Sequence, residues 1–155
     1  MRDALWPSPA GEHGEEIDRY FAGELREPLE VLIAFDDRGE AFGFVELSIR
    51  AHAEGCFTDH VAFVEGWYVE PATRGTGVGA ALIRAAETWA RSQGCTELAS
   101  DTEVENLASA AAHRAVGFTE TGVYTLLQEI AVNAQQLTAP ANPLLHQWLT
   151  GARGA

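Results

Sequence analysis

The chain contains no lysine: all ten basic residues among its 155 positions are arginines. Schiff-base and lysine-base catalysis are therefore excluded, and so is a lysine-bearing P-loop. Cysteine is nearly absent too. Cys56 and Cys95 stand far apart and make no metal-ligand spacing, and the five histidines are scattered. No metal site is expected. Buried free thiols are the expected state of the cysteines, with a disulfide as the alternative. No apolar run approaches the roughly 18 residues that a membrane span needs. The opening "MRDALWPSPAGEHGEEID" (Met1–Asp18) lacks the apolar core of a signal peptide and is acidic. These absences predict a cytoplasmic protein without a membrane partner.

Positive charge is also scarce. The formal net charge is −13. No basic stripe exists to release phosphate counterions, so a nucleic-acid partner is not expected. A negative field of this size concentrates cations, although plain solubility explains it equally.

What is present suits one domain, with 46% hydrophobic residues for a core. Glu12–Glu24 reads as a helix with Ile17, Tyr20 and Phe21 on one face. "LEVLIAF" (Leu29–Phe35) and "EAFGFVELSIR" (Glu40–Arg50) read as a hairpin around the turn Asp36–Gly39. "HVAFVEGWYVE" (His60–Glu70) is a third strand. Thr76–Gln93 is a helix with Leu82, Ala85, Ala86 and Trp89 inward, stopped by Gly94. A short strand, Cys95–Ser100, and a helix, Glu105–Val116, follow. Gly117–Ile130 reads as a final strand or hairpin. The order predicts an α+β protein with one mixed sheet and a parallel crossover pair between His60 and Ser100. After Ile130 the acidic residues stop and Pro140 and Pro143 intervene. Residues 1–130 are the expected domain and 131–155 a tail, with at most a short helix at Leu144–Leu149.

Two features of "VEGWYVEPATRGTGVGAALI" (Val64–Ile83) carry chemistry. "RGTGVG" (Arg74–Gly79) follows a strand and opens a helix. Glycines allow positive φ and close approach of a ligand, and the first helical turn offers unpaired N–H groups at a positive dipole end. Together they suit a pyrophosphate. A tight turn without a ligand is the alternative. The second feature is Glu65 inside an apolar strand. Strict alternation places it on the face of Phe63 and Trp67, where a charge is costly unless paired or in a cleft. A glutamate at a sheet edge, or one salt-bridged to an arginine, is the alternative, and a bulge would change the facing. Asp101 follows the short strand, at the end where open sheets place ligands; an N-cap or Asx turn is its alternative. Trp6 and Tyr68 suit either apolar walls for a substrate or core packing.

The pattern R/Q-x-x-G-x-G/A at Arg74–Gly79 resembles the acetyl-coenzyme A signature of the GNAT acetyltransferase superfamily. "ENLASAAAHRAVGF" (Glu105–Phe118) is similar to that family's last long helix, with Asn106 near its start and Gly117-Phe118 at its end. "ALWP", "GEEID", "RAHAEGC", "FVEGWYVEP" and "ELASDTEVEN" narrow the resemblance to bacterial aminoglycoside 6'-N-acetyltransferases, from about Arg2 to about Ile130.

The resemblance implies a GNAT fold, acetyl-coenzyme A as cosubstrate, an aminoglycoside as acceptor, direct transfer in a ternary complex, and a homodimer. It implies that Glu65 and Asp101 bind acceptor amines, with Glu65 as a second candidate for proton relay. His113 takes the place of a tyrosine that protonates the leaving thiolate; a packed helix histidine is the alternative. Glu120 is implied as a further acceptor contact, or else a solvated glutamate, and Asn106 as a coenzyme contact. The backbone at Gly75, Gly77, Val78 and Gly79 is expected on the pyrophosphate. The backbone of Tyr68 and Val69 is expected along the pantetheine arm, and Arg74 on a phosphate. The family opens with a strand that this chain lacks, since Met1 falls where the first helix belongs. That predicts an exposed sheet edge beside the hairpin. Acetylation of another amine, such as a polyamine or a protein N-terminus, and a coenzyme A-binding domain without turnover stay open.

Overall fold

The computed structural model describes residues 1–9 and 12–122. Two helices come first: α1 (Arg2–Leu5) and α2 (Glu12–Phe21). Pro7 and Pro9 lie between them, where proline withholds the N–H that would join the two. Strands β1 (Glu30–Phe35), β2 (Ala41–Arg50) and β3 (Val61–Val69) follow, then a single 3-10 turn at Pro71–Thr73. Helix α3 (Val78–Ser92), strand β4 (Leu98–Ser100) and helix α4 (Leu107–Ala115) complete the described part. The expected last strand after Gly117, the boundary at Ile130 and the helix at Leu144–Leu149 lie outside the described residues.

The sheet order is β1-β2-β3-β4. The first three strands are antiparallel, and β3 and β4 are parallel with α3 as the crossover. This is the mixed α+β sheet that the sequence predicts. Strand β2 is paired on both sides, so the sheet edge falls on β1 among the described residues.

One register shift positions the site. Leu47 pairs with Val64, but Glu46 pairs with Gly66. Glu65 is therefore an extra residue, a bulge in β3. The bulge corrects the facing that strict alternation gives. Val64 and Trp67 pack with Val45, Leu47, Leu82, Ile83 and Ala86 under α3. Phe63 belongs to a separate cluster with Ala53 and Val61, and Tyr68 packs against Phe44. Glu65 thus does not share the face of Trp67. The α3 stripe also differs from expectation. Leu82, Ile83, Ala86 and Ala90 are its buried residues, and Ala85 is exposed. A stripe centred on Leu82, Ala86 and Ala90 turns Ala85 outward.

Two glycines permit close approach. A Cβ at Gly66 would overlap the Trp6 ring, so α1 can lie on β3 only because this residue is glycine. A Cβ at Gly79 would stand 2.8 Å from Trp67 Cζ2, so Gly79 lets the start of α3 settle on the sheet. Helix α1 has no buried residue of its own. A buried charge helps to hold it. Glu46 on β2 is 6% exposed. Arg2 Nε lies 2.7 Å from Glu46 Oε1, and Nη2 lies 3.3 Å from Oε2. Burial raises the Glu46 carboxyl above its ordinary 4.5, and the Arg2 guanidinium partly offsets that.

Gly79→Ala should cost about 1–3 kcal/mol through overpacking against Trp67, read as a lower midpoint in urea. Arg2→Met should cost about 3 kcal/mol at neutral pH, because it strands a buried carboxylate. The folded state then holds the Glu46 proton more tightly than the unfolded chain does. The deficit should therefore shrink as pH falls toward 4.5, which urea titrations at several pH values measure.

Candidate active site

The parallel ladder is short. It joins Ala62 to Leu98, Phe63 to Ala99 and Val64 to Ser100, and there it stops. Strand β3 runs on to Val69. From Glu65 to Val69 its β4-facing edge has no strand neighbour among the described residues. An edge with backbone groups on offer takes an extended amide-bearing ligand as a further strand. The sequence expectation for Tyr68 and Val69 falls on this segment.

The glycine loop follows directly. Gly75 and Gly77 have φ of +78° and +94°, which side-chain-bearing residues rarely adopt. Gly77 is the N-cap of α3 and makes no side-chain cap. The first-turn N–H groups of α3 therefore stay free of a side-chain cap from that residue, at the positive end of a 15-residue helix. A pyrophosphate fits such a cradle. Gly79 is already in the first turn of α3, and its lack of Cβ serves packing on Trp67. Arg74 is turned back: its Nε donates to the Val69 carbonyl at 2.8 Å, and its Cζ lies 5.7 Å from the Tyr68 ring centroid.

On the other face of the sheet an open cleft of about 690 Å³ lies between α1 and the strands. Arg2, Trp6, His13, Glu46, Arg50 and Glu65 are among its lining residues. Trp6 is the apolar wall, held by Gly66 beneath it and by His13 Nε2, 2.7 Å from the Trp6 carbonyl. Glu46 on β2 and Glu65 on β3 are the sheet-borne carboxylates of the cleft; Arg2 holds the first, and the second has partners of its own. Glu65 accepts from Arg50 Nε at 3.0 Å, from Arg50 Nη2 at 2.6 Å and from the Ser48 hydroxyl. The predicted pairing with an arginine and the predicted cleft position are both present.

Sequence reading missed Glu46, Ser48 and Arg50. The alternation of "GFVELSIR" would have put Phe44, Glu46, Ser48 and Arg50 on one face. It would not have shown that α1 covers that face. Tyr68 is no wall of this cleft: its side chain is buried, 6.1 Å from Phe44 between ring centroids.

The ends of the strands bring the other candidates near. Val64 pairs with Ser100, so Glu65 and Asp101 are the next residues on the two diverging strands. Asp101 is exposed. It does not cap α4; Asn106 does, its Oδ1 accepting from Ser109 N at 3.0 Å. His113 reaches the same strand end from α4. Its Nε2 lies 3.0 Å from Ser100 Oγ, and its Nδ1 lies 2.8 Å from the Ser109 carbonyl. A carbonyl only accepts, so the Nδ1 proton faces Ser109, and in the neutral ring Nε2 accepts from Ser100. The ring is also wedged edge-on between Trp67 and Phe118, 5.2 Å from each. Glu120 pairs with Arg114 and does not line the cleft. Among the described residues no group of three or more His, Cys, Asp or Glu side chains is placed to hold a metal ion. No described helix is long and apolar enough to cross a membrane.

Known proteins resemble this chain in sequence and fold. The Acetyltransferase (GNAT) family pattern matches residues 1–118. The aminoglycoside N(6')-acetyltransferase type 1 of Klebsiella aerogenes is 55% identical over 121 residues, covering 77% of this chain and 80% of that protein. The crystal structure of an aminoglycoside antibiotic 6'-N-acetyltransferase from Acinetobacter haemolyticus superposes with a TM-score of 0.74 at 36% identity, covering 85% of this chain and 89% of the other. AAC(6')-Iy, solved in complex with a bisubstrate analog, CoA-S-monomethyl-acetylneamine, gives 0.73 at 34% identity, covering 84% and 88%. With a mixed sheet splayed beside a glycine-capped helix, and with these matches across most of its length, the chain belongs to the GNAT acetyltransferase family.

Proposed function

We propose that this protein transfers an acetyl group from acetyl-coenzyme A to the 6'-amine of an aminoglycoside. The observation that carries the reading is the register at the end of β4. Where Val64 and Ser100 part, the coenzyme edge of β3 begins and both candidate acceptor carboxylates follow. Relatives that carry this activity by name support the acceptor class.

Each residue then has a task. The backbone of Tyr68 and Val69 pairs with the pantetheine arm, and the N–H groups at Gly75, Gly77, Val78 and Gly79 hold the pyrophosphate. Arg74 adds a phosphate contact by leaving Val69. Asn106 fixes the start of α4, and so the coenzyme side of the site. Acetyl-coenzyme A supplies the activated acyl group. Glu65 and Asp101 bind ammonium groups of the polycationic acceptor and hold its 6'-amine at the thioester. Trp6 covers the sugar face. The amine must lose a proton before attack, and the leaving thiolate must gain one. The proton comes from the His113 imidazolium, protonated at Nε2 as well as Nδ1: it passes its Nε2 proton to the Ser100 hydroxyl 3.0 Å away, which gives its own proton to the thiolate. Glu120, paired with Arg114 outside the cleft, would reach the acceptor only by leaving that exposed pair.

The chain works in the cytoplasm, where acetyl-coenzyme A is made, and pairs with a second copy as a homodimer. Residues 1–130 form the enzyme and 131–155 a tail. Release of free thiol from acetyl-coenzyme A in the presence of a kanamycin-like acceptor tests the activity. Turnover on a polyamine or an N-terminal peptide alone would move the acceptor. Coenzyme binding without turnover on any amine would leave a binding domain.

Asp101→Ala should raise the acceptor KM by about tenfold and leave the acetyl-coenzyme A KM unchanged, since one charged contact is lost. An equal rise in both constants would make Asp101 structural. His113→Phe should lower kcat by about 100-fold with little change in either KM, the usual size of a general-acid contribution. A variant with wild-type kcat would leave His113 as packing between Trp67 and Phe118.

A further inference from the structure

Glu65 meets the cleft with one side already occupied. Arg50 donates from Nε to Oε1 and from Nη2 to Oε2, spanning the carboxylate edge with its planar fork. The Ser48 hydroxyl adds a further bond to Oε1. The guanidinium is itself held: Arg50 Cζ lies 3.4 Å from the centroid of the Phe63 ring. It is sandwiched between a ring face and a carboxylate, and it comes from the neighbouring strand, at the last residue of β2. An ionised carboxylate offers about four lone-pair directions. Arg50 takes two and Ser48 one. The direction left open is on Oε2.

We infer that Arg50 is a specificity-determining residue for the acceptor. By filling the fork edge of Glu65, it admits a primary ammonium and rejects a guanidinium. A primary ammonium needs a single acceptor direction and fits the one remaining on Oε2. A guanidinium binds carboxylates best through two parallel N–H donors, and that edge is taken. Placing a second guanidinium there also sets two like charges side by side without a carboxylate edge for each. Arg50 thus acts in two ways: it aims Glu65, and it selects the kind of cation Glu65 can hold. The inference rests on the reading that Glu65 binds an acceptor ammonium group.

The test compares an aminoglycoside with its fully guanidinylated analogue, in which the amine that faces Glu65 has become a guanidine; it has no amine left to acetylate and is measured as a competitive inhibitor. In the wild-type protein the analogue's inhibition constant should exceed the parent amine's KM by at least about tenfold, the scale of discrimination that one charged contact gives. In Arg50→Met the freed edge accepts a fork, and the ratio should fall to about one. In Arg50→Lys the ratio should lie between, because an ammonium fills one direction and not an edge. The acetyl-coenzyme A KM should not move. A purely structural role would weaken amine and analogue together and leave the ratio unchanged. A ratio in both variants within about twofold of wild type therefore overturns the inference, a change too small for a lost charged contact. If Arg50→Met does not fold, Arg50→Lys alone decides, since it keeps the charge. If the wild-type protein shows no turnover, the acetyltransferase reading fails by itself. Calorimetric dissociation constants for the two compounds then give the same ratio and test Arg50 separately.

Discussion

Strands β3 and β4 stay together for only three registered pairs, and the site exists because they then part. The extra residue at Glu65 marks the point of divergence. On one side of β3 it leaves a run of backbone without a strand neighbour among the described residues. On the other it turns a carboxylate into a cleft instead of under α3. A β-bulge re-aims one side chain and disrupts the local ladder, and here both effects are used. The open edge of β3 and the cleft that holds the Glu65 carboxylate meet at one inserted residue.

The surroundings make that arrangement firm. Trp67, freed from the cleft face by the bulge, packs beneath α3 and meets Gly79 and His113. The glycine loop is thereby tied to the strand that carries Glu65. On the cleft face α1 has little apolar grip of its own. It is held by the Trp6 ring over Gly66, by Arg2 on Glu46 and by His13 on the Trp6 carbonyl. Two carboxylates of the cleft, Glu46 and Glu65, already carry arginines. A cationic acceptor meets charge that has been arranged, not bare acidity, which favours selectivity over sheer attraction.

Much of this was legible in the sequence where local chemistry decides. The strand-to-helix turn was legible because a positive φ calls for glycine and such a turn calls for several, although the helix was read from Thr76 and α3 begins at Val78. The crossover from β3 to β4 followed from periodicity. The position of Asp101 at a strand end followed too. The bulge was not legible, because an apolar strand with one extra residue still looks alternating. Glu46 was passed over because a glutamate on a strand reads as solvent-facing until another element covers it. That cover is α1, whose Arg2 lies 44 residues away in the chain, and no local pattern announces it. Arg50 was one of ten arginines. Only the pairing of β2 with β3 brings it to Glu65. The cap of α4 was legible as chemistry but was weighed for Asp101, when Asn106 provides it.

A crystal structure of the protein with coenzyme A decides whether the parting of β3 and β4 is the coenzyme site. The pantetheine amides should pair with the β3 backbone between Trp67 and Val69, and the pyrophosphate should sit on the first-turn N–H groups of α3. Coenzyme bound elsewhere, or β3 and β4 paired continuously past Val64 and Ser100, would contradict that assignment.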